Sequence, residues 1–201
     1  MPENSPQNTD KPIGPDALWA PWRLQYLESI DDNDTPPPKD EPPAGPKKVY
    51  ASFLAEYWAN PDDDEKNHVL VRDAEGMVLM NRYPYANGHL LVALGEPRPR
   101  LLDYREAQRE RFWSLVQIAF DLVETTLAPQ GVNMGINQGR AAGAGIPQHL
   151  HAHVLPRWGG DVNFITTIGQ IRVVPGALDA MADRFRAALR RVELPEGATP
   201  R

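Results

Sequence analysis

Hydrophobic positions divide the chain into short apolar runs and two longer stretches of helical spacing. The short runs lie at residues 67–72, 77–81, 89–94, 132–137 and 149–155. Turn residues at 73–76 and 83–88 separate the first three. Runs of this length, bounded by Gly, Pro, Asn and Asp, are typical of antiparallel strands. We therefore predict that these five runs are strands.

Two segments have the apolar spacing of helices. The first begins near Asp103 and Glu106, which form a capping-box-like start, and ends before Pro129 and Gly131. Its apolar stripe consists of Phe112, Leu115, Val116, Ala119, Leu122 and Val123. The second helix, shorter and stopped by Pro195, has its stripe at Leu178, Met181, Phe185 and Leu189. We interpret both stripes as core, and the order of elements predicts an α+β domain with an antiparallel sheet.

The N-terminal quarter has a different composition from the rest of the chain. Residues 1–48 are polar, acidic and rich in proline, so we predict that they are mostly disordered. An aromatic segment at 17–28 interrupts them and is expected to dock on the folded body or on a partner subunit. The folded domain is predicted at 49–194, followed by a tail at 195–201.

Composition excludes several classes of protein. The chain has 201 residues and no cysteine, so disulfides and thiolate metal sites are absent. Its formal net charge of −6 argues against a protein that binds nucleic acid mainly through phosphates. The sequence contains no apolar stretch long enough for a membrane span and begins with polar residues, so we expect no membrane partner and a cytoplasmic location.

Histidine occupies every second position from His149 through His151 to His153, with Leu150, Ala152 and Val154 in the gaps. Because a strand has a side-chain period of two, the three imidazoles would project from one face. The chain has five histidines and three are in this run, so chance placement on a solvent-facing strand is the weaker interpretation. Alternating imidazoles can ligate a metal or supply a nucleophile and its supports. No nearby carboxylate or cysteine completes the usual zinc set.

A glycine-rich segment precedes the histidines. Residues 139–145 contain three glycines in seven positions. Such a loop needs no ligand when it only connects two strands. Without a Cβ, however, its backbone N–H groups can approach an anion closely. Beside a row of imidazoles, the loop therefore favours phosphoryl chemistry.

These motifs resemble those of the histidine triad (HIT) superfamily. Residues 149–155 match its alternation of histidine with apolar residues, and residues 81–92 resemble its nucleoside-binding segment, with Asn81 ahead of a Gly-His pair. Within the superfamily, residues 18–23 and 155–161 are most similar to bacterial diadenosine polyphosphate hydrolases and phosphorylases. The resemblance implies an α+β, HIT-like fold: an antiparallel five-stranded sheet with a long helix and a C-terminal helix, paired into a homodimer or a higher homo-oligomer. Many members carry a Cys-x-x-Cys zinc pair where this chain has residues 51–54, so a structural zinc of that kind is not expected.

The resemblance also implies roles for the histidines. His151 would attack the α-phosphorus and form a nucleotidyl-imidazole intermediate, because a neutral imidazole is a nucleophile at pH 7. His153 would contact phosphate oxygens near the reacting centre. His149 would orient His151, and His89 would support the triad. His68 has no counterpart and is expected to be a surface strand residue.

The same resemblance implies a substrate-binding set. Asn81 would bond the ribose, Met80 with Leu79 or Phe53 would sandwich the base, and Trp158 would cover the leaving nucleotide or pack at a dimer contact. Side chains of Asn137 and Gln148 would add donors to the phosphate oxygens. Backbone N–H groups would come from Gly143, Ala144, Gly145 and Ile146. Three arginines beside the motifs could contact the polyanion or simply face water: Arg82, Arg140 and Arg157.

The resemblance implies a nucleotidyl hydrolase or transferase that cleaves dinucleoside polyphosphates, namely diadenosine tetraphosphate or triphosphate. Water or inorganic phosphate would resolve the covalent intermediate. No cofactor is required, although Mg²⁺ can accompany the polyphosphate as a counter-ion. The alternatives are a nucleoside phosphoramidate hydrolase, a non-catalytic nucleotide-binding regulatory module, and a metal-binding protein. A small-molecule nucleotide is the expected partner of the hydrolase or transferase and of the first two alternatives.

Overall fold

The computed structural model describes residues 49–161 and 176–201. The expected disordered extension at 1–48, with its aromatic segment at 17–28, lies outside the described residues and stays a prediction.

A six-stranded antiparallel sheet forms the centre of the domain. Its strands are β1 (Val69–Arg72), β2 (Gly76–Met80), β3 (Leu90–Leu94), β4 (Gly131–Ile136), β5 (His151–Arg157) and β6 (Thr199–Pro200). Across the sheet they are ordered β4-β5-β3-β2-β1-β6. The prediction of five strands was wrong because β6, in the segment expected to be a tail, has two residues and no periodicity to detect. It exists through pairing with β1.

Within residues 49–161 and 176–201, three α-helices accompany the sheet. They are α1 (Phe53–Ala59), α2 (Glu106–Leu127) and α3 (Leu178–Ala188). Short 3₁₀ turns lie at Pro61–Asp63, Leu101–Asp103, Arg140–Ala142 and Leu189–Arg191. The long helix and the C-terminal helix were predicted from their stripes. In the described ranges, no helix combines the length and the apolar character that a membrane span needs.

The start of α2 differs from the sequence prediction. Asp103 belongs to a separate 3₁₀ turn, and the helix begins at Glu106. Gln108 supplies the terminal contact, its side-chain oxygen accepting the backbone N–H of Arg105 at 3.2 Å. The end is as expected: Ala128 is left-handed, at φ 44°, immediately before Pro129.

The two faces of the sheet carry different layers. On one face, alternate strand residues such as Leu90 and Val92 pack with the apolar stripes of α2 and α3. The opposite face carries a smaller apolar cluster of Leu54, Val69, Met77, Leu79, Leu91 and Ala93. Of these, Leu54 belongs to α1 and the rest to strands. The smaller cluster lies on the same face as the histidines.

Helix α1 was not predicted, and contacts distant in sequence hold it in place. Burying its one fully enclosed side chain, Leu54, contributes about 2 kcal/mol, too little to order a seven-residue helix in isolation. The buried guanidinium of Arg72 donates to the carbonyls of Trp58 at 3.0 Å and Tyr57 at 2.9 Å. The Trp58 ring lies so close to Gly95 that a Cβ there would come within 2.0 Å. These contacts fix α1 beside the end of β3.

Candidate active site

The register of β5 against β3 decides where the histidines lie. His153 is opposite Leu91, and His151 is opposite Ala93. Since Leu91 and Ala93 belong to the smaller cluster, the rings of His151 and His153 share the α1 face of the sheet. His149 was predicted to lie in this strand but precedes it, and its ring bonds Ser52 at the start of α1. The residues between the histidines pack in the larger core on the other face: Leu150, Ala152 and Val154. The predicted alternation is confirmed.

A fourth histidine joins the row. His89 directly precedes β3, and its Nε2 lies 2.9 Å from Nδ1 of His153. The ring centroids of His89 and His153 are 5.1 Å apart, and those of His151 and His153 are 4.9 Å apart. His89 and His149 are fully buried, and His151 and His153 are 5% and 7% exposed. The predicted support, His89, thus touches the third histidine of the triad.

The hydrogen bonds of His149 and His151 define their tautomers. A carbonyl oxygen can only accept, so Nε2–H of His149 donates to Leu94 O at 2.7 Å. Its Nδ1 then carries a lone pair, which accepts the hydroxyl of Ser52 at 2.6 Å. Nδ1–H of His151 donates to the carbonyl of His149 at 2.8 Å. The remaining nitrogen of His151, Nε2, therefore carries a lone pair.

A second chain of hydrogen bonds gives His153 the opposite arrangement. The backbone N–H of Tyr85 donates to Nδ1 of His89 at 3.1 Å. Nε2 of His89 therefore carries the proton and donates to Nδ1 of His153. The proton of neutral His153 is then on Nε2, a buried atom without a hydrogen-bond partner among the described residues. A buried N–H group left unpaired costs stability, so it is typical of a site that receives a ligand atom.

Burial keeps the triad neutral. Desolvation lowers the pKa of His149 and of His151, because an imidazolium is poorly solvated there. The pKa of His153 falls to about 4 through desolvation and, secondarily, the neighbouring His151. At pH 7 the site therefore presents a lone pair on His151 beside an N–H donor on His153.

The glycine loop makes some of its own hydrogen bonds. Gly139 and Gly143 have φ angles of 86° and 87°, so the turn itself requires glycine at both positions. The N–H groups of Gly143 and Ala144 donate to carbonyls within the loop, those of Arg140 and Gly139. In this structure those two predicted donors are therefore already paired, because the turn that places them also uses them.

The next two residues of the loop remain suited to a ligand. Around Gly145 a Cβ would meet no atom within 4 Å, so a ligand has room to approach. Neither Gly145 nor Ile146 donates its N–H to a backbone carbonyl in the described part of the chain. Ile146 packs against the smaller cluster, on the histidine face.

The side-chain amides near the loop separate into two groups. Gln138 and Gln148 are engaged: Gln138 accepts the N–H of Leu101 at 3.0 Å, and Gln148 donates to Ala51 O at 2.7 Å. Asn137 continues β4 on the side of Gly135, which is paired with His153. Its amide nitrogen lies 4.0 Å from the Cβ position of Gly143, at the junction of strand and loop. Strand alternation therefore favours Asn137 over Gln138 as the amide on the histidine face.

The expected nucleoside residues are divided by the sheet. Asn81 is near the histidines: its Nδ2 is 3.2 Å from Nδ1 of His89, and its Oδ1 accepts the N–H of Tyr83. Leu79 is on the histidine face, and Phe53 of α1 is 39% exposed. Met80 was expected to sandwich the base, but its side chain packs in the core under α2, on the other face. Adjacent strand residues point to opposite faces, so Met80 and Leu79 cannot serve together.

Other predicted residues lie away from the triad. Trp158 follows β5 in a turn where its N–H donates to Asp161, five positions beyond His153, or about 16 Å along the strand. Arg157 pairs with Asp161 and donates to Asn133, and it is exposed, as are Arg82 and Arg140. His68 was expected on a surface strand, but it precedes β1 at φ 53° with a side chain 12% exposed. Its burial follows from tertiary packing.

Two site residues escaped the sequence analysis. Ser52 could have been suspected as a helix N-cap, since its Oγ accepts the N–H of Ala55 at 3.1 Å. Tyr85 contributes its backbone N–H, and its ring stacks on His153 at 5.6 Å and an interplanar angle of 22°. A backbone donor leaves no signal in residue type.

Most ring nitrogens of the histidine row are engaged in hydrogen bonds. Within residues 49–161 and 176–201, no group of three His, Asp or Glu side chains is arranged to hold an ion. Both nitrogens of His149, together with Nδ1 of His151 and of His153, are already engaged in hydrogen bonds.

The chain is similar in sequence and in structure to known proteins. The sequence pattern described as "HIT domain" matches residues 63–160. A Mycobacterium tuberculosis protein named "AP-4-A phosphorylase" is 35% identical over 162 residues, which are 80% of this chain and 77% of that protein. A Schizosaccharomyces pombe protein named as an asymmetrical bis(5'-nucleosyl)-tetraphosphatase is 29% identical over 91 residues, 45% of this chain and 50% of that protein. The crystal structure of a zinc-bound histidine triad family protein from Mycobacterium smegmatis superposes with a TM-score of 0.55 at 25% identity, over 68% of this chain and 93% of that one.

Proposed function

This chain belongs to the HIT domain family, and from that membership and the geometry of its four histidines we propose that it cleaves dinucleoside polyphosphates through a covalent nucleotidyl-His151 intermediate. Diadenosine tetraphosphate or triphosphate is the proposed substrate. The relatives named for activity on such compounds support this class. The observation that carries the proposal is a lone pair on His151 Nε2 in one ring and, in the neighbouring ring, an Nε2–H of His153 that has no hydrogen-bond partner among the described residues.

The first step follows from these tautomers. Nε2 of His151 attacks the α-phosphorus, the P–O bond to the leaving nucleotide breaks, and its electron pair departs on that oxygen. His151 keeps its Nδ1 proton and becomes positively charged, while the carbonyl of His149 accepts that proton in a hydrogen bond. His153 donates an Nε2–H hydrogen bond to the departing or a neighbouring oxygen. As a neutral imidazole it stabilises charge there and transfers no proton.

The second step returns the electron pair to His151. The oxygen of water or of inorganic phosphate attacks the phosphorus, the N–P bond breaks with its electron pair returning to Nε2, and the proton of an attacking water is released to solvent. Two backbone N–H groups at Gly145 and Ile146, with the Asn137 amide, are the proposed contacts of the α-phosphate. Asn81 is the proposed ribose contact, and the leaving nucleotide extends from the site into solvent.

The proposed chemistry uses no metal to generate the nucleophile. A neutral imidazole already has the lone pair that a metal would otherwise provide through bound hydroxide. Mg²⁺ enters only as a counter-ion of the polyphosphate. We therefore expect turnover to persist, with altered KM, after EDTA treatment. Complete loss with EDTA and recovery with Zn²⁺ would support the metal-binding alternative.

We propose a homodimer as the assembly. In the described part of the chain, β4 is an edge strand and its residues are half-buried or exposed. Beside it, Trp113, Phe120 and Met134 line an open groove of about 550 Å³ against α2. An unpaired strand edge next to apolar side chains favours pairing with a second copy. The cytoplasmic location stays a prediction.

The products of one reaction test the proposed function. Diadenosine tetraphosphate is incubated with the full chain, with and without inorganic phosphate. ATP is released in either case. AMP as the second product indicates transfer to water, and ADP as the second product indicates transfer to phosphate. Binding without cleavage would identify the regulatory module, and cleavage restricted to adenosine phosphoramidates would favour the phosphoramidate hydrolase.

A further inference from the structure

We propose that Ser52 is a positioning residue of the active site: its hydroxyl holds His149 in one tautomer and thereby fixes the carbonyl that aims His151. This inference deepens the proposed function and rests on it for its catalytic consequence. Ser52 lies 97 positions from His149 in sequence and outside the histidine motif.

The hydroxyl of Ser52 has two partners with opposite demands. Its oxygen accepts the N–H of Ala55 at 3.1 Å, which caps α1. Its hydrogen is donated to Nδ1 of His149 at 2.6 Å. A hydroxyl can do both at once, because it has one hydrogen and two lone pairs.

The carbonyl of Leu94 makes the direction of the second bond unambiguous. That oxygen accepts a hydrogen bond from Nε2, so the single ring proton of neutral His149 is on Nε2 and Nδ1 must act as an acceptor. His149 is fully buried, so both ring nitrogens depend on protein partners. Ser52 is therefore the partner that completes this tautomer.

The peptide after Gln148 is held against the start of α1 at two points. The Gln148 side chain donates to Ala51 O at 2.7 Å, and the His149 ring accepts from Ser52. The backbone of Gln148 and His149, which these two hydrogen bonds hold, includes the His149 carbonyl. That carbonyl accepts the hydrogen bond from His151 Nδ1–H. Displacement of His149 would therefore move the group that orients the nucleophile.

Among the described residues, the groups that contact His149 are uncharged. The titratable group that affects its pKa is His151, two residues further along at the start of β5. From β3 comes the neutral carbonyl of Leu94, and from α1 the neutral hydroxyl of Ser52. The charged groups just beyond β3, Glu96 and Arg98, pair with each other.

Three substitutions separate capping from tautomer control. Ser52→Thr keeps the hydroxyl and should retain activity within about threefold. Ser52→Ala removes both functions and should lower kcat about 10-fold, since supporting groups of this kind are worth about 10- to 100-fold. Ser52→Asp keeps a good N-cap but can only accept, so it should favour protonated His149. In Ser52→Asp, the acid limb in the pH dependence of kcat should therefore move to higher pH. The kcat of this variant at neutral pH should be at least as low as that of Ser52→Ala.

The control is Ser114→Ala, which removes a hydroxyl bonded to the Glu110 carbonyl on the outside of α2. It should leave kcat and its pH profile unchanged. Thermal unfolding identifies effects of capping alone: Ser52→Asp should unfold close to wild type, while its pH profile shifts. A merely structural role would lower stability in proportion to activity and leave the pH profile in place.

A second readout does not depend on turnover. The ¹⁵N shifts of labelled histidines, assigned with a His149→Gln variant, should show Nε2-protonated neutral His149 in the wild type. They should also show a raised His149 pKa in Ser52→Ala and, more strongly, in Ser52→Asp. Wild-type pH profiles and shifts in both variants would overturn the role of Ser52. An inactive wild-type chain would overturn the proposed function, while the ¹⁵N shifts would still decide whether Ser52 sets the tautomer.

Discussion

The imidazole ring centroids of His151 and His153 lie 4.9 Å apart, and the two rings are held in opposite tautomers. His151 donates through Nδ1 to a carbonyl, and His153 accepts through Nδ1 from His89. One ring therefore offers a lone pair on its Nε2, and the neighbouring ring offers an N–H on its own Nε2. Neither arrangement follows from the ring itself, since free imidazole populates both tautomers.

Removal of the nucleophile should abolish turnover but not binding. In His151→Ala we expect kcat to fall by about 10⁴-fold or more, because the covalent route is lost. Nucleotide affinity, measured by calorimetry with a non-hydrolysable analogue, should stay within about fivefold. The matched control is His68→Asn. His68 lies outside the triad, beside Asp179, and its backbone has φ 53°, a conformation that asparagine readily adopts. Substantial turnover by His151→Ala would contradict the nucleophile assignment.

The acid limb of the rate profile should lie below pH 6.5. The reacting form of His151 is neutral, and burial lowers its pKa from 6.5. The pH dependence of kcat/KM reports groups of the free enzyme, so it should be flat from about pH 7 to 8 and decline only in more acidic solution. A limb centred above pH 6.5 would show that a protonated or differently placed group controls the reaction.

Acid should destabilise the fold through His153. Its pKa is about 4 in the folded chain, against 6.5 for the ordinary side chain, so below pH 6.5 the unfolded chain binds a proton that the folded one excludes. Stability from this group is complete above pH 6.5 and is lost as pH falls toward 4, by on the order of 3 kcal/mol. Urea unfolding of wild type and His153→Gln across this range checks it. The loss should be smaller in the variant, and identical curves would contradict the shift.

His89 should matter most when the leaving group is poor. In His89→Leu, Nδ1 of His153 loses its donor, so the proton is no longer confined to Nε2. We expect kcat for a nucleotide leaving group to fall about 10- to 100-fold. His89→Gln, whose amide can still donate, should recover part of that loss. With adenosine phosphofluoridate, whose fluoride leaves readily, the loss should be several-fold smaller. Equal losses for both substrates would argue that His89 serves packing alone.

Self-association should depend on the groove beside β4. Met134 is 41% exposed there, and a carboxylate at that position would be buried without a partner in a strand-paired dimer. Met134→Asp should shift the sedimentation coefficient to that of a monomer, whereas Leu102→Asp, at a residue 73% exposed elsewhere, should not. An unchanged coefficient in Met134→Asp would place the interface on another surface.

The sequence by itself determined five of the strands, the amphipathic helices α2 and α3, and the alternation of the histidines with core residues. These features depend on local periodicity, which is a property of the backbone: two residues per repeat in a strand and 3.6 in a helix. Leu150, Ala152 and Val154 pack on the core side for that reason. The chemistry of the triad could be predicted because the histidine motif is continuous in the sequence.

Only the tertiary structure decided which partners the histidines have. Ser52 and His149 are 97 positions apart, and His89 and His153 are 64 apart. Their contacts depend on the order and register of strands and on where α1 packs, so no local pattern encodes them. The same reason explains Met80, whose face follows from the register of β2, and β6, a two-residue strand formed by pairing alone. Periodicity selects a face, but the neighbours across that face are set by long-range packing.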